Sequence, residues 1–333
     1  MTRTSTHRAL VVLVVAWCLA LGGGAGHASG TETPAGALGQ PFTRDQPGIA
    51  YGGQRNSVLL FGGTFEGAYW NDTWKFDGIK WHLQAPANSP GPRAAMGIAY
   101  DSARKQVVVF GGLGFNRILG DTWTWDGRTW TKQSPASSPR ARTNPGMVYD
   151  AARQQVVMFG GFTQTGFLGD TWIWDGTNWT ELAPSTSPQK RADVGMAYDI
   201  ARSQTVLFGG DGSQVFSDTW AWDGTNWTQL TPASSPDARY AHAMAYDAAR
   251  RRVVAFGGLT EFGFFLGDTW TWDGTTWTER TPTTSPSPRK YPGMAYDMGR
   301  RAGDVVLFGG SEAEFLGDTW TWDGTTWTER GSG

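Results

Sequence analysis

The chain has 333 residues, 39% of them hydrophobic and 17% charged, with a formal net charge of −2, a composition that suits a folded domain and excludes wholesale disorder. Cys18 is its single cysteine, which excludes a disulfide framework and a thiolate metal site. The chain has no basic excess to neutralise a phosphate backbone, so nucleic acid is excluded as a general partner.

The first predicted element is a leader. Arg3 and Arg8 precede an apolar run from Ala9 to Leu21, and small residues follow as far as Ala28. This order predicts a secretory signal peptide over 1–28, and therefore a secreted, extracellular protein. The run falls short of the roughly 20 apolar residues that a membrane span needs, and no later segment approaches that length, so no membrane anchoring is expected. Cys18 lies inside the leader, behind Trp17. Removing Arg3 and Arg8 takes the 28 basic residues to 26 against 30 acidic ones, a mature charge of −4. A secreted chain without disulfides points to a bacterial source, where the sequons at Asn71, Asn178 and Asn226 carry no glycan.

A short linker over 29–40 leads into a repeat that fills 41–333. Paired glycines recur at Gly62-Gly63, Gly111-Gly112, Gly160-Gly161, Gly209-Gly210, Gly257-Gly258 and Gly309-Gly310, at steps of 49, 49, 49, 48 and 52 residues. In register with them, a D-T-W triplet begins at Asp72, Asp121, Asp170, Asp218, Asp268 and Asp318. Each unit reads as four strands. The first is short and ends in tyrosine, as in "MGIAY" and "PGMVY"; the second is "QVVVFGG" or an equivalent, apolar on both faces as a strand between packed sheets must be. The third is the D-T-W strand, and an Asp-Gly turn reverses it into the fourth, a strong hairpin signal. Seventeen of the 19 tryptophans stand in the frame W-x-W-D-G-x-x-W, with Phe76 in the one exceptional place.

A four-stranded sheet with two apolar faces cannot bury them alone, but six such sheets packed face to face around an axis can. The predicted fold is therefore all-β, a six-bladed propeller with four antiparallel strands per blade, innermost strand first. Blades are expected near 44–92, 93–141, 142–190, 191–238, 239–288 and 289–330. Each blade is contiguous in sequence, which predicts a ring sealed by packing alone. The small residue three before each tyrosine (Gly48, Gly97, Gly146, Gly195, Ala243, Gly293) fits crowding near the axis.

The double glycine, the aromatic third strand, the fourth-strand Trp and the Arg ahead of the first strand resemble the kelch family over about 41–330, and a period near 50 is that family's signature. The resemblance implies the propeller and leaves function open, because kelch propellers include oxidases, an epimerase of sialic acid and many protein-binding domains. Oxidases of the galactose oxidase type need copper held by histidines and a tyrosine cross-linked to cysteine. This mature chain has no cysteine and only His82 and His242, so that copper chemistry is excluded and no cofactor is expected.

Loops joining fourth to first strands ("TPTTSPSPRKYPG") and second to third strands ("GGLTEFGFFLGD") share one face and vary while the strands do not, which makes this loop face the expected binding surface. Two sets of candidate ligand-binding residues lie there. Arg44, Arg93, Arg142, Arg191, Arg239 and Arg289 stand seven residues before the tyrosines and can hold a carboxylate or acidic sugar bidentately. Their strict repetition also fits a structural tie to each D-T-W aspartate. Phe115, Phe167, Phe264, Tyr240 and Tyr291 can stack on sugar rings or anchor a partner protein, or else clasp the loops to the blades. Acidic loop residues, Asp193, Asp211 and Glu312 among them, can supply an acid and base only where two converge; otherwise they are solvated charges. On the opposite face, turns such as "YDAARQQ" pair Asp and Arg three apart as a local tie. The expectation is a monomeric, non-catalytic binding module for a carbohydrate or partner protein. The alternative is a sugar-active enzyme similar to the sialic acid epimerase.

Overall fold

The computed structural model describes residues 39–53, 57–297 and 303–331; the expected leader and most of the linker lie outside the described residues. Within them every regular element is a β-strand, and the strands form six four-stranded antiparallel sheets plus one small hairpin, Thr64–Phe65 with Ala68–Tyr69. The third blade shows the plan: Gly146–Asp150, Gln155–Thr163, Gly166–Trp174 and Trp179–Leu182 pair in sequence order, with Gly146 opposite Phe159, Phe159 opposite Thr171 and Thr171 opposite Leu182. First strands of neighbouring blades touch all the way round, including Gly293–Asp297 of the sixth against Gly48–Tyr51 of the first. The molecule is a six-bladed β-propeller with each blade contiguous in sequence.

Burial follows the predicted pattern. Second-strand residues such as Val107, Val108, Val109 and Phe110 are fully buried because both sheet faces meet a neighbouring blade. Each fourth-strand Trp crosses to the preceding blade, where its ring meets the phenylalanine of the second strand that precedes the double glycine, as Trp227 does Phe159 at 5.3 Å. Burying a large apolar side chain stabilises by roughly 1.5–3 kcal/mol, so repeated indole seals suffice without disulfides. Crowding at the small first-strand position comes from the next blade: a Cβ on Gly97 would sit 2.9 Å from the sulfur of Met147.

The seams hold more than packing, which corrects the expectation of a ring sealed by packing alone. The fourth-strand indole donates to the D-T-W threonine of the preceding blade at every seam, and Trp81 to Thr319 at 2.9 Å closes the circle. The double glycine adds a backbone tie. Both glycines have positive φ, and the second donates its N–H to the carbonyl of the next blade's arginine, as Gly161 does to Arg191 at 2.9 Å. A Cβ on Gly160 would overlap that same carbonyl, so only glycine fits. Blade six repeats the contact onto blade one through Gly310 and Arg44 at 2.9 Å.

On the tyrosine-end face, Asp101 caps its turn through the amides of Ala103 and Arg104 and pairs with the Arg104 side chain at 2.9 Å, the expected local tie. The arginine also reaches the next blade. Arg153 donates to the carbonyl of Asp223, and its guanidinium lies where a Cβ on Gly224 would be. The Asp-Gly turn thus needs glycine for its φ of 100° and for this clasp.

Candidate functional site

The D-T-W triplet and the repeated arginine interlock at the loop-face end of each blade. All six arginines are buried, and each binds its aspartate bidentately: Arg44–Asp72, Arg93–Asp121, Arg142–Asp170, Arg191–Asp218, Arg239–Asp268 and Arg289–Asp318, at 2.5–2.7 Å for one bond. In Arg142 the remaining contacts go to the carbonyls of Arg140 and Gly160. The Trp of the triplet completes the carboxylate's shell, as Trp172 does for Asp170 at 2.7 Å. Burial alone would raise these carboxyls, but hydrogen bonds and charge from Arg142 outweigh it and hold Asp170 below the usual range; Arg93, Arg239 and Arg289 do the same to Asp121, Asp268 and Asp318. Four of five guanidinium N–H donors in Arg142 are consumed within the fold.

Two residues past each arginine the chain forms a second ring, this one of backbone alone. Gln46, Ala95, Asn144, Asp193, Ala241 and Tyr291 all have φ between 51° and 58°. The N–H of each donates to the carbonyl of its counterpart in the preceding blade, at 2.7–3.2 Å, and Gln46 to Tyr291 closes the circle around the axis. A left-handed residue other than glycine costs roughly 1–2 kcal/mol, and the closed hydrogen-bond circle is what sustains six of them.

That uniform backbone carries unlike side chains, and the polar ones gather on one arc. Asp193 and Asp211 of the fourth blade, Tyr240 of the fifth, Lys290, Tyr291 and Ser311 of the sixth and Asp45 of the first form one network. Tyr291 donates to Asp193, the Lys290 ammonium stands 5.6 Å from the centre of the Tyr291 ring, and Ser311 Oγ donates to Asp45 at 3.0 Å. Burial pushes Asp193 up to about 7, aided by the neighbouring charge of Asp211 and opposed by Tyr291 and Lys290. It also pushes Asp211 and Asp45 up to about 6. Tyr240 rises to about 12 through burial and then the charges of Asp211 and Asp193, and Tyr291 rises through burial and then Asp193, Tyr240 and Asp45. The facing second and third blades present Ala94, Ala95, Leu113, Thr143, Asn144 and Phe162 instead, without an ionisable group. The mouth therefore has an ionisable side and a neutral one.

The rim is aromatic in places. In blades two, three and five the hairpin between second and third strands continues past the double glycine, as far as Gly114–Arg117, Thr163–Gly166 and Leu259–Phe265. Phe115 and Phe264 stand on two of these tips, 78% and 68% exposed. Phe167 instead stacks edge-on against Phe162 at 5.0 Å and clasps its own hairpin. Tyr240 and Tyr291 lie in the ionisable arc. Sequence reasoning passed over Phe262, which is 78% exposed beside Phe264, and over Asp45, Lys290 and Ser311. Aligning the blades on their arginines marks Asp45 and Lys290, because the two positions after each arginine change from blade to blade in an otherwise strict pattern.

Residues 55–233 match the model of the KLHDC2/KLHL20/DRC7 Kelch-repeats domain. The chain belongs to the kelch-repeat family. No curated protein matches it. In kelch terms the glycine pair, the fourth-strand Trp and the axial Arg are the scaffold, which the sixfold geometry bears out here: each makes the same contact in every blade. A kelch propeller of this build fits a binding module, and what differs between its blades is concentrated on the loop face.

Proposed function

We propose that this protein is a secreted, monomeric binding module that recognises a carbohydrate or a partner protein through the loop face. The observation that carries the reading is the break in sixfold symmetry at the mouth: one backbone ring, built six times alike, bears an ionisable arc on four blades and neutral side chains on the other two. A structural ring gains nothing from that asymmetry, whereas a single ligand needs it. Raised carboxyls that are partly protonated near neutrality both donate and accept hydrogen bonds, which suits hydroxyl-rich or amide-rich ligands. Exposed phenylalanines on the hairpin tips add contact area at small entropic cost. The secreted context rests on the leader sequence.

The test is a glycan and peptide array probed with the mature protein, compared with Asp193→Asn, Tyr240→Phe and Lys290→Met. Binding of one ligand class that falls at least tenfold in these variants, with no melting temperature lowered, supports the reading. Binding that is indifferent to all three overturns it. The rival, a sugar-active enzyme, draws on Asp193 at about 7 beside Tyr291, a position suited to proton transfer. It lacks the free axial arginine such a site would use, since all six are paired with aspartate. Turnover of an arrayed sugar that is lost in Asp193→Asn would decide for it.

A further inference from the structure

The innermost strands carry a feature that the loop face does not use. In the fourth blade Gly209 donates its N–H to the Asp218 carbonyl at 3.2 Å, which makes Phe208 and Thr219 a non-hydrogen-bonded pair and turns the backbone groups of Phe208 to Gly195 of the first strand. Alternation then places the N–H and C=O of Gly195 and Ala197 in the ladder and sends those of Val194, Met196 and Tyr198 to the other side, toward the axis. The same register recurs in blades two, three, five and six, and among the described residues no further strand lies inside the first ones. The prolines agree with it. Pro145 and Pro292 stand at the Val194 position, and a strand tolerates proline where the missing N–H faces away from the ladder.

The side chains of these strands turn to the seams and leave the axis to the backbone. Met147 lies over Gly97 of the preceding blade. The tyrosine hydroxyls accept from turn amides of the preceding blade, Tyr198 from Ala152 and Tyr246 from Ala201, both at 3.1 Å. His242 is sealed in the seam between the fourth and fifth blades, its ring over Gly195 and Gly209 and edge-on to Phe208 at 5.5 Å, with both ring nitrogens buried and unpartnered. Between the six strands lies a cavity of about 410 Å³, within the range of roughly 300–1,000 Å³ found for small-molecule pockets. Among the described residues its lining holds no Asp, Glu, Lys or Arg. It reaches the exposed Ala151 and Ile200 at the tyrosine end and stops short of the ring through Gln46 and Tyr291, so it opens on one face only.

We propose that the axial cavity is a binding site for a neutral ring polyol, a cyclitol or a pyranose, held by the backbone of the innermost strands. An unpaired backbone group away from water costs as much as a lost hydrogen bond. Donors and acceptors stand on every side of this column, so its occupant has to offer both, which a hydroxyl does and a hydrocarbon does not. From Val194 to Tyr198 the strand rises about 13 Å, and 410 Å³ over that length lets oxygen-sized atoms sit up to about 3 Å from the axis. A six-membered carbon ring with equatorial hydroxyls sets its oxygens about 3 Å from its centre at bonds of about 1.5 Å, one toward each blade. A charged polyol is disfavoured, since no side chain of the lining would offset a buried charge.

The experiment is calorimetry and thermal shift on the mature protein with scyllo-inositol, glucose, cyclohexanol and inositol hexakisphosphate, followed by a crystal structure with the tighter polyol. Saturable binding of scyllo-inositol or glucose is expected, at least tenfold tighter than that of cyclohexanol or the hexakisphosphate, with density on the axis between the tyrosines and Val194; the tighter of the two polyols names the class as cyclitol or pyranose. Ala151→Trp combined with Ile200→Trp, both exposed at the mouth, should fold and lower binding at least tenfold by blocking entry. Val194→Pro, which installs the residue that blades one, three and six already have, should fold and weaken binding about threefold or more by deleting one axial N–H. No saturable binding of either polyol, cyclohexanol bound as tightly as both, polyol density away from the axis, or binding indifferent to both variants would overturn the proposal.

Discussion

Trp227 donates its indole N–H to the hydroxyl of Thr171 across the gap between the fourth and third blades, at 2.9 Å, while Trp222, 5.4 Å away by ring centroid, keeps a buried indole N–H with no partner. Two tryptophans of one motif thus differ in what they contribute. Trp227→Phe removes the interblade bond and strands the Thr171 hydroxyl, a cost of about 1–3 kcal/mol. Trp222→Phe removes an unsatisfied donor and copies the Phe76 of blade one, so its cost should stay below about 1.5 kcal/mol. Urea unfolding of both variants measures the difference, and equal losses would contradict it.

Arg142 is the second case. Removing one partner of a buried, hydrogen-bonded pair costs roughly 3–5 kcal/mol because the other charge is left uncompensated, so Arg142→Met should lower stability by that order. Arg142→Lys should recover little, since an ammonium cannot make the paired contact to Asp170 together with those to the Arg140 and Gly160 carbonyls. A melting temperature unmoved by Arg142→Met would return the arginine to the list of ligand groups.

The hairpin tips separate rim from clasp. Phe115→Ala and Phe264→Ala remove exposed rings and should change stability by no more than about 0.5 kcal/mol, while reducing retention of the loop-face ligand. Phe167→Ala gives up the contact with Phe162, an edge-to-face pair worth about 0.5–1.5 kcal/mol beyond its area. Differential scanning calorimetry on the three variants distinguishes the two roles.

The pH response of the mouth has a definite sign. Asp193, Asp211 and Asp45 have folded pKa values above the ordinary 3.8, so the folded state holds their protons more tightly, and their contribution to stability falls as pH rises from about 4 to about 7. The Arg-paired Asp121, Asp170, Asp268 and Asp318 work the other way: their stabilisation is present above the usual carboxylate pKa and is lost as pH falls through their lowered values. Asp193→Asn should therefore raise the melting temperature at pH 8 and have little effect at pH 4. A gain that is the same at both values would show that Asp193 ionises freely.

The blades were legible because their code is local. An Asp-Gly turn, a two-residue alternation and a glycine pair act on neighbours within a few positions, and the arginine-to-aspartate tie recurs at 27–29 residues in every unit, so repetition exposed strand order, blade number and even the competing structural role of the arginines. Closure added what no single unit contains: the hydrogen-bonded circle through Asn144 and Tyr291, and the reach of Arg153 onto the next blade's turn. The mouth was the least readable part. Asp45 and Ser311 are 266 residues apart and meet only because the sixth blade returns to the first, and the isolation of His242 depends on which groups of a neighbouring blade surround it. Local propensity and period set the blade; the identity of the side chains that face one another across the axis is decided by ring closure, which joins residues whose sequence separation carries no signal.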